Sequence, residues 1–161
     1  MESVPVWEQA GKACQEEILG RNDGKGSGGS GGARVLVFLP GAYEIRRTVE
    51  LLERSSWARG WEVKPLYSAL SPAAQGEAVG PGERSRIIVA TNVAETSITI
   101  DGVIAVIDSG LARIASYDAR RGIDTLTIGK ISQAAAQQRA GRAGRTGPGR
   151  CVRLWSERDH A

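Results

Sequence analysis

The chain has 161 residues, of which 41% are hydrophobic and 24% are charged, with a formal net charge of +3. This composition supports one hydrophobic core, and the mild positive charge is compatible with a nucleic-acid partner without requiring one. Two isolated cysteines and one histidine exclude the usual zinc clusters and indicate a reducing, cytoplasmic environment, while no apolar run approaches the ~18 residues of a membrane span.

The N-terminal part predicts a helix followed by a flexible stretch. Apolar residues recur at helical spacing over residues 5–20, and a run of glycine and serine occupies 24–32. The run matches G-x-G-x-x-G, but a dinucleotide-binding turn follows a strand, whereas this run precedes one. It fits a natural insertion and an engineered linker equally. We expect residues 1–23 to form a helical segment, 24–32 a flexible linker or loop, and 33–161 the main domain.

The main domain alternates between strand and helix patterns. Short apolar runs predict buried strands at 35–39, 63–67, 87–90, 103–107 and 151–155. Helical patterns occupy 42–56, a short segment that begins with Ser71 as N-cap before a proline, and 132–143. Such alternation predicts right-handed β-α-β units. The expected fold class is therefore α/β, with a doubly wound, mainly parallel sheet flanked by helices.

One segment departs from this alternation. Residues 111–117 and 123–128 have the composition of two strands, and they flank a turn that contains Arg120, Arg121 and Gly122. Two such runs around a short glycine-containing turn are typical of a β-hairpin. We therefore predict a protruding β-hairpin with a basic tip.

The loop after the third predicted strand carries the densest set of polar groups. In an open α/β sheet, ligands bind beyond the carboxyl ends of the strands. Residues 91–101 lie at such an end and include several hydroxyls, an amide and two carboxylates. Hydroxyls and exposed backbone N–H groups can hold a phosphate without net charge. The simpler alternative is a polar turn with a helix N-cap, which needs few of these residues.

Residues 138–145 combine arginine, glutamine and glycine. On a helix, Gln138, Arg142 and Arg145 occupy positions i, i+4 and i+7 and share one face. The planar guanidinium matches phosphate oxygens two at a time, and a glutamine can orient a water without adding charge. These residues predict one wall of a nucleoside-triphosphate site. The alternative is a solvated basic helix end, although the two glycines, which are costly in a helix, argue against it.

Three segments together resemble a known family. Residues 35–41 resemble motif IV, 90–100 resemble motif V, and 138–145 resemble motif VI of the second RecA-like domain of superfamily-2 helicases of the DEAH/RHA group. The resemblance runs from about residue 34 to 157 and is greatest to bacterial HrpB-type helicases. It implies a RecA-like fold for residues 33–161.

The resemblance also implies roles for individual residues. Arg142 and Arg145 would be arginine fingers on the terminal phosphates of ATP, and Gln138 would help to position the attacking water. Arg139 lies about 100° away from their face, and its role stays open. The remaining implied roles are ATP binding by Ser97, Thr99 and Asp101, nucleic-acid binding by Gly41, Thr91 and Asn92, and strand separation by a hairpin that carries Arg113, Arg120 and Arg121.

Two motifs of such helicases are absent from the sequence. It contains neither G-x-x-x-x-G-K-[ST] nor Asp-Glu-Ala-His, so it lacks the lysine that grips the phosphates and the carboxylates that hold Mg²⁺. ATP with Mg²⁺ would therefore bind between this domain and a first RecA-like domain of the same polypeptide. We expect the isolated domain to be a monomer without ATPase activity, to contact single-stranded RNA or DNA, and to have no membrane partner.

Two other functions remain open at this point. The chain could be an ATP-independent nucleic-acid-binding or adaptor module, in which the arginine run holds a nucleic-acid phosphate directly. It could also be a flavodoxin-like domain that binds a small phosphate ligand. Conversely, guanidinium groups held inside the domain by its own carboxylates would argue against their acting as arginine fingers.

Overall fold

The computed structural model describes residues 4–20, 32–96, 98–143 and 149–155. Ser97, Arg145 and residues 24–31 of the expected linker lie outside the described residues. The central element is a five-stranded sheet formed by β1 (Arg34–Phe38), β2 (Glu62–Leu66), β3 (Arg86–Ala90), β4 (Val103–Asp108) and β7 (Arg150–Arg153). Neighbouring strands are all parallel, in the order β2-β3-β1-β4-β7.

Helices cover both faces of this sheet. They are α1 (Val6–Leu19), α2 (Ala42–Glu53), α3 (Pro72–Val79), the short α4 (Val93–Thr96) and α5 (Gln133–Ala140), with one 3₁₀ turn at Ser56–Ala58. The central strands β1, β3 and β4 are buried along their whole length, as expected for strands covered on both faces. The predicted α/β class with a mainly parallel sheet is therefore confirmed.

One hydrophobic cluster lies on each face of the sheet. Alternate residues of β1 point in opposite directions, so Val35 and Val37 pack with α1 and α2, while Leu36 and Phe38 pack with α3 and α4. The N-terminal helix α1 contributes buried residues to the first cluster, including Cys14. Among the described residues, no helix is long and apolar enough to cross a membrane.

Helix α5 is shorter than the sequence predicts. Its start is capped as expected, since the Ser132 hydroxyl accepts a hydrogen bond from the N–H of Ala135 at 3.1 Å. The α-helix ends at Ala140, and the next N–H groups bond three residues back, from Arg142 to the carbonyl of Arg139 at 3.1 Å. The prediction of one helix over 132–143 is therefore wrong at its C-terminal end, where the hydrogen bonds change to the three-residue spacing of a 3₁₀ turn.

The predicted β-hairpin is confirmed. Strands β5 (Leu111–Asp118) and β6 (Ile123–Lys130) pair antiparallel and form a separate two-stranded sheet. At the tip, a carboxylate oxygen of Asp118 accepts the backbone N–H of Arg120 at 3.0 Å, and Gly122 has a positive φ of 66°. The base of the hairpin follows β4 directly, which places it at the carboxyl edge of the main sheet.

Candidate functional site

The three predicted nucleic-acid-binding residues lie at the carboxyl edge of the sheet. Gly41 follows β1, and Thr91 and Asn92 follow β3, the parallel neighbour of β1. The two turns are joined across the edge, because the N–H of Leu39 donates to the carbonyl of Ala90 at 2.8 Å. Thr91 is half-buried and Asn92 is exposed. The structure therefore brings these three residues together at the carboxyl ends of adjacent strands.

A side chain at Gly41 would have to displace two neighbouring side chains. Its φ of −165° is available to any residue, so the constraint is space. A Cβ at Gly41 would lie 2.8 Å from Nε of Arg113 and 3.2 Å from Oε1 of Glu44. Arg113 belongs to the base of the hairpin, so the hairpin contacts this turn. Glu44 is buried, and its Oε1 has no hydrogen-bond partner among the described residues.

The three predicted hairpin arginines do not form one group. Arg113 lies at the base of β5, whereas Arg120 and Arg121 lie at the tip, five strand residues or roughly 17 Å further along. Nε of Arg121 is 3.7 Å from Oδ2 of Asp118, with 75% of the arginine side chain exposed. Arg113 and the tip pair therefore lie at opposite ends of the hairpin, and the strand-separating role of the hairpin that carries them stays a prediction.

The loop after β3 begins with a single helical turn that the sequence did not predict. In α4, the N–H of Glu95 donates to the carbonyl of Asn92 at 3.0 Å. Beyond the turn, Ile98 and Ile100 pack into the second cluster, and the alternate residues Thr99 and Asp101 are exposed. The two candidate ATP-binding residues that the structure describes are therefore exposed. Asp101, however, lies at the amino edge of the sheet, because the next residue, Gly102, accepts the N–H of Arg34 at the start of β1 at 3.0 Å.

Arg139 is the most deeply buried large side chain near this loop, with 0% exposure. Its Nε donates to Oε1 of Glu95 at 2.6 Å, and its Nη1 donates to Oδ1 of Asp108 at 2.8 Å. Its guanidinium also lies over the ring of Phe38, 4.7 Å from the ring centroid. Arg139 is thus held inside the domain by two carboxylates, and it joins α4, α5 and β4.

Arg142 reaches the same turn by a different contact. Its Nε donates to the backbone carbonyl of Glu95 at 2.5 Å, and the residue is only 8% exposed. Gln138 is exposed. The prediction that Gln138 and Arg142 share one helix face is therefore wrong, because the helix ends between them and the inward-facing pair is Arg139 with Arg142, three residues apart.

Two residues of this network were not identified as functional from the sequence. Glu95 was the one carboxylate of the polar loop that received no role, and Asp108 ends the apolar strand β4. An acidic residue directly after a buried strand was the available signal, since a buried charge requires a partner. Among the described residues, no group of three or more His, Cys, Asp or Glu could hold a metal ion.

Comparison with known proteins identifies the family. Residues 16–147 match the helicase conserved C-terminal domain. The chain therefore belongs to the helicase C-terminal domain family, and its similarities lie with the DEAH/RHA helicases.

The similar proteins are ATP-dependent RNA helicases by name. The chain is 45% identical over 131 residues to the pre-mRNA-splicing factor ATP-dependent RNA helicase prp22 of Schizosaccharomyces pombe, covering 76% of this chain and 11% of that protein. It is 41% identical over 155 residues to the ATP-dependent RNA helicase HrpA homolog of Haemophilus influenzae, covering 96% and 12% respectively. It is 47% identical over 129 residues to the human probable ATP-dependent RNA helicase DHX34, covering 78% and 11%.

The fold is also similar to solved structures. The crystal structure of the Escherichia coli DEAH/RHA helicase HrpB matches with a TM-score of 0.81 and 34% identity over 98% of this chain and 19% of that one. A second crystal structure, of E. coli DExH-box NTPase HrpB, matches with a TM-score of 0.81 and 35% identity over 99% and 19%. The RecA-like fold is therefore confirmed, and the chain spans about 11–12% of the length of the curated relatives.

Proposed function

We propose that this chain is the second RecA-like domain of an ATP-dependent RNA helicase. In this proposal it supplies arginines to an ATP site shared with another domain and contacts the backbone of single-stranded RNA. The observation that best supports this proposal is that Glu95 accepts two hydrogen bonds: its carboxylate accepts one from Arg139, and its backbone carbonyl accepts one from Arg142. The predicted nucleic-acid turn and the predicted phosphate-binding run thus meet at one residue.

The described donor groups suit ATP better than they suit Mg²⁺. The exposed amide of Gln138 and the hydroxyl of Thr99 are neutral groups that bind phosphate or ribose oxygens. The carboxylates of Glu95 and Asp108 are engaged by Arg139 and are buried or nearly so. The remaining carboxylate of the loop, on Asp101, is exposed but lies at the amino edge of the sheet, since Gly102 accepts the N–H of Arg34. Mg²⁺ needs exposed oxygen ligands, so we infer that its ligands belong to the other domain.

The arginine finger role requires a movement of Arg142. In the present conformation its Nε is held by the carbonyl of Glu95, and a hydrogen bond from a charged group contributes about 1.5–3 kcal/mol when buried. Phosphate contacts in the closed state would replace this bond. A shift of the turn at Thr91 and Asn92 on nucleic-acid binding moves the same carbonyl, since Asn92 and Glu95 belong to one turn. RNA binding and Arg142 placement are therefore linked through α4.

Mutation of the arginines in the full-length polypeptide tests the phosphate role. Arg142→Ala and Arg145→Ala are each expected to lower ATP hydrolysis by about 10³-fold or more, because arginine fingers contribute about 10³–10⁵ in rate. Circular dichroism should show that the fold persists. Arg59→Ala is the matched control, since Arg59 is exposed and precedes β2 at the opposite edge of the sheet. Wild-type turnover in both finger variants would refute the assignment.

Assays of the isolated chain test whether ATP hydrolysis requires the other RecA-like domain. The isolated chain should show no ATP turnover and weak nucleotide affinity, because no lysine or Mg²⁺ ligand of an ATP site is present in its sequence. Single-stranded RNA should bind weakly and with strong salt dependence, and Thr91→Ala with Asn92→Ala should weaken it further. Tight RNA binding that does not respond to nucleotide would instead support an ATP-independent binding module.

A further inference from the structure

We propose that an aromatic patch formed by Trp7, Tyr43, Arg46 and Arg47 is a stacking site for an unpaired base of single-stranded nucleic acid. The site would extend the path of the single strand beyond the Gly41 turn, and it therefore rests on the proposed function. Neither the predicted motifs nor the internal network of Arg139 uses any of these four residues.

The patch consists of two rings and two cations. The rings of Trp7 and Tyr43 meet edge to face, with centroids 5.6 Å apart and an interplanar angle of 89°. The guanidinium of Arg46 lies 5.8 Å from the centroid of Tyr43, and that of Arg47 lies 5.6 Å from the centroid of Trp7. Tyr43 is nevertheless 48% exposed. A large ring held in place by neighbours and still open to solvent is suited to stack against a ligand ring.

The patch lies at the same edge of the sheet as the predicted nucleic-acid turns. Tyr43 is in the first turn of α2, directly after Gly41 and the carboxyl end of β1. Helix α1 runs in the same direction as α2, because Trp7 contacts Tyr43 near the start of both helices and Gly11 lies against Leu51 further along. Both helices therefore begin at this edge, and their N-terminal N–H groups face the same side as the patch.

The charge around Tyr43 suits a polyanion. Arg46 and Arg47 are exposed, and the guanidinium of Arg113 lies close to the Gly41 turn. Two parallel helix N-termini add partial positive charge. The opposing exposed carboxylates are those of Glu8 in the first turn of α1 and Glu50, which is 3.7 Å from Arg47. Proteins that bind single strands combine positive grooves with aromatic side chains in this way.

Core packing does not account for the exposed ring. On the inner side of α2, Ile45 and Leu52 are fully buried and fill the space above the sheet. Tyr43 lies on the outer side, where its ring contacts Trp7 and Arg46. Among the described residues, it is not one of the hydrophobic side chains that pack against the first cluster. A protein partner could also use such a patch, but the flanking arginines and the adjacent Gly41 turn favour single-stranded nucleic acid, to which the proposal commits.

The test uses single-stranded RNA that contains 2-aminopurine, whose fluorescence is quenched by stacking. The full chain is titrated at low salt. Duplex RNA of the same sequence is the reference, because its bases are paired and stacked on one another and leave no unpaired base for the site. Tyr43→Ala should lower affinity about fivefold or more and abolish quenching at saturation, whereas Tyr43→Phe should retain both, because stacking requires the ring and not its hydroxyl. Arg46→Gln should reduce the slope of log affinity against log salt by about 0.7, the contribution of one phosphate contact to a single strand.

Comparison with the variant Thr91→Ala, Asn92→Ala separates the two proposals. If that variant weakens RNA binding but Tyr43→Ala changes neither affinity nor quenching, the stacking site is wrong and the proposed RNA contact at Thr91 and Asn92 is supported. If Tyr43→Ala removes quenching while the double variant binds RNA normally, the stacking site is supported and the RNA contact at Thr91 and Asn92 is wrong. Absence of single-strand binding by the wild-type chain, or equal quenching by duplex, overturns the stacking site. Circular dichroism confirms that each variant is folded.

Discussion

Replacing Arg139 by methionine should destabilise the domain more than any other single arginine replacement near the site. Methionine keeps much of the apolar stem of the side chain but removes the cation between Glu95 and Asp108. Both carboxylates would then remain in place without their cationic partner. Asp108 would keep one bond at Oδ1, from the N–H of Gly110 at 2.8 Å, while its Oδ2 already lacks a partner among the described residues.

The size of the effect follows from burial. The side chains of Arg139 and Asp108 are both 0% exposed, and removing one partner of a buried pair costs about 3–5 kcal/mol. For chains of 150–250 residues, each kcal/mol corresponds to about 2–4 °C in Tm. The expected fall in Tm is therefore about 6–20 °C. The cation contact with Phe38, at 4.7 Å, is lost as well and acts in the same direction.

Urea unfolding followed by far-UV circular dichroism and tryptophan fluorescence measures this change. The matched control is Arg121→Met, which removes an arginine–aspartate pair at the exposed hairpin tip. That pair is solvent-screened, and its loss should change the free energy of unfolding by less than about 1 kcal/mol. The double variant Arg139→Met, Asp108→Asn should be more stable than the sum of the single effects predicts, because the second change removes the uncompensated charge.

A loss of less than about 1 kcal/mol in Arg139→Met would refute this reasoning. Such a result would mean that water or a rearranged side chain neutralises the two carboxylates. Equal effects of Arg139→Met and Arg121→Met would lead to the same conclusion, since burial would then have no influence on the strength of the pair.

Two further predictions concern thiols and backbone space. Burial, together with a neighbouring carboxylate, raises the pKa of Cys14 to about 12, whereas Cys151 is exposed. Ellman's reagent should therefore label one thiol in the native protein and a second only after urea unfolding. Labelling of both thiols under native conditions would contradict the buried position of Cys14. Gly110 has a φ of 74°, and a Cβ there would lie 2.6 Å from the ring of Trp155, so Gly110→Ala should destabilise by about 2 kcal/mol or more. Gly129→Ala is its control, because the added methyl would meet the flexible end of an isoleucine side chain, and thermal melts showing equal losses would count against the strain argument.

Local patterns were sufficient to predict the strands, the longer helices and the hairpin. Continuous apolar runs identified the strands of the parallel sheet because both faces of such strands are covered, and the observed strands differ from the predicted ranges by one or two residues. The cap at Ser71 was also predictable, and its hydroxyl accepts the N–H of Ala74 at 3.1 Å. These features depend on neighbours in sequence, so the sequence carries them directly.

The interior roles of the arginines were not predictable in the same way. Periodicity placed Gln138 and Arg142 on one face, but the helix ends at Ala140 and the turn that follows redirects Arg142 inward. Nothing in the local pattern distinguishes an arginine that faces a ligand from one that binds an internal carboxylate. The single turn α4 was missed for a related reason, since one turn is too short to produce a periodic signal.

The sequence by itself therefore determined the order of strands and helices, the hairpin, and the motifs that identify the family. Tertiary structure alone decided which charged side chains are paired inside the domain. Arg139 meets Asp108 and Glu95 across 31 and 44 residues of sequence, and Trp7 meets Tyr43 only because α1 packs beside α2. These contacts form because folding brings distant segments together and because a buried charge in the low-dielectric interior needs a partner. The spacing of neighbouring residues in the sequence does not show which partner that will be.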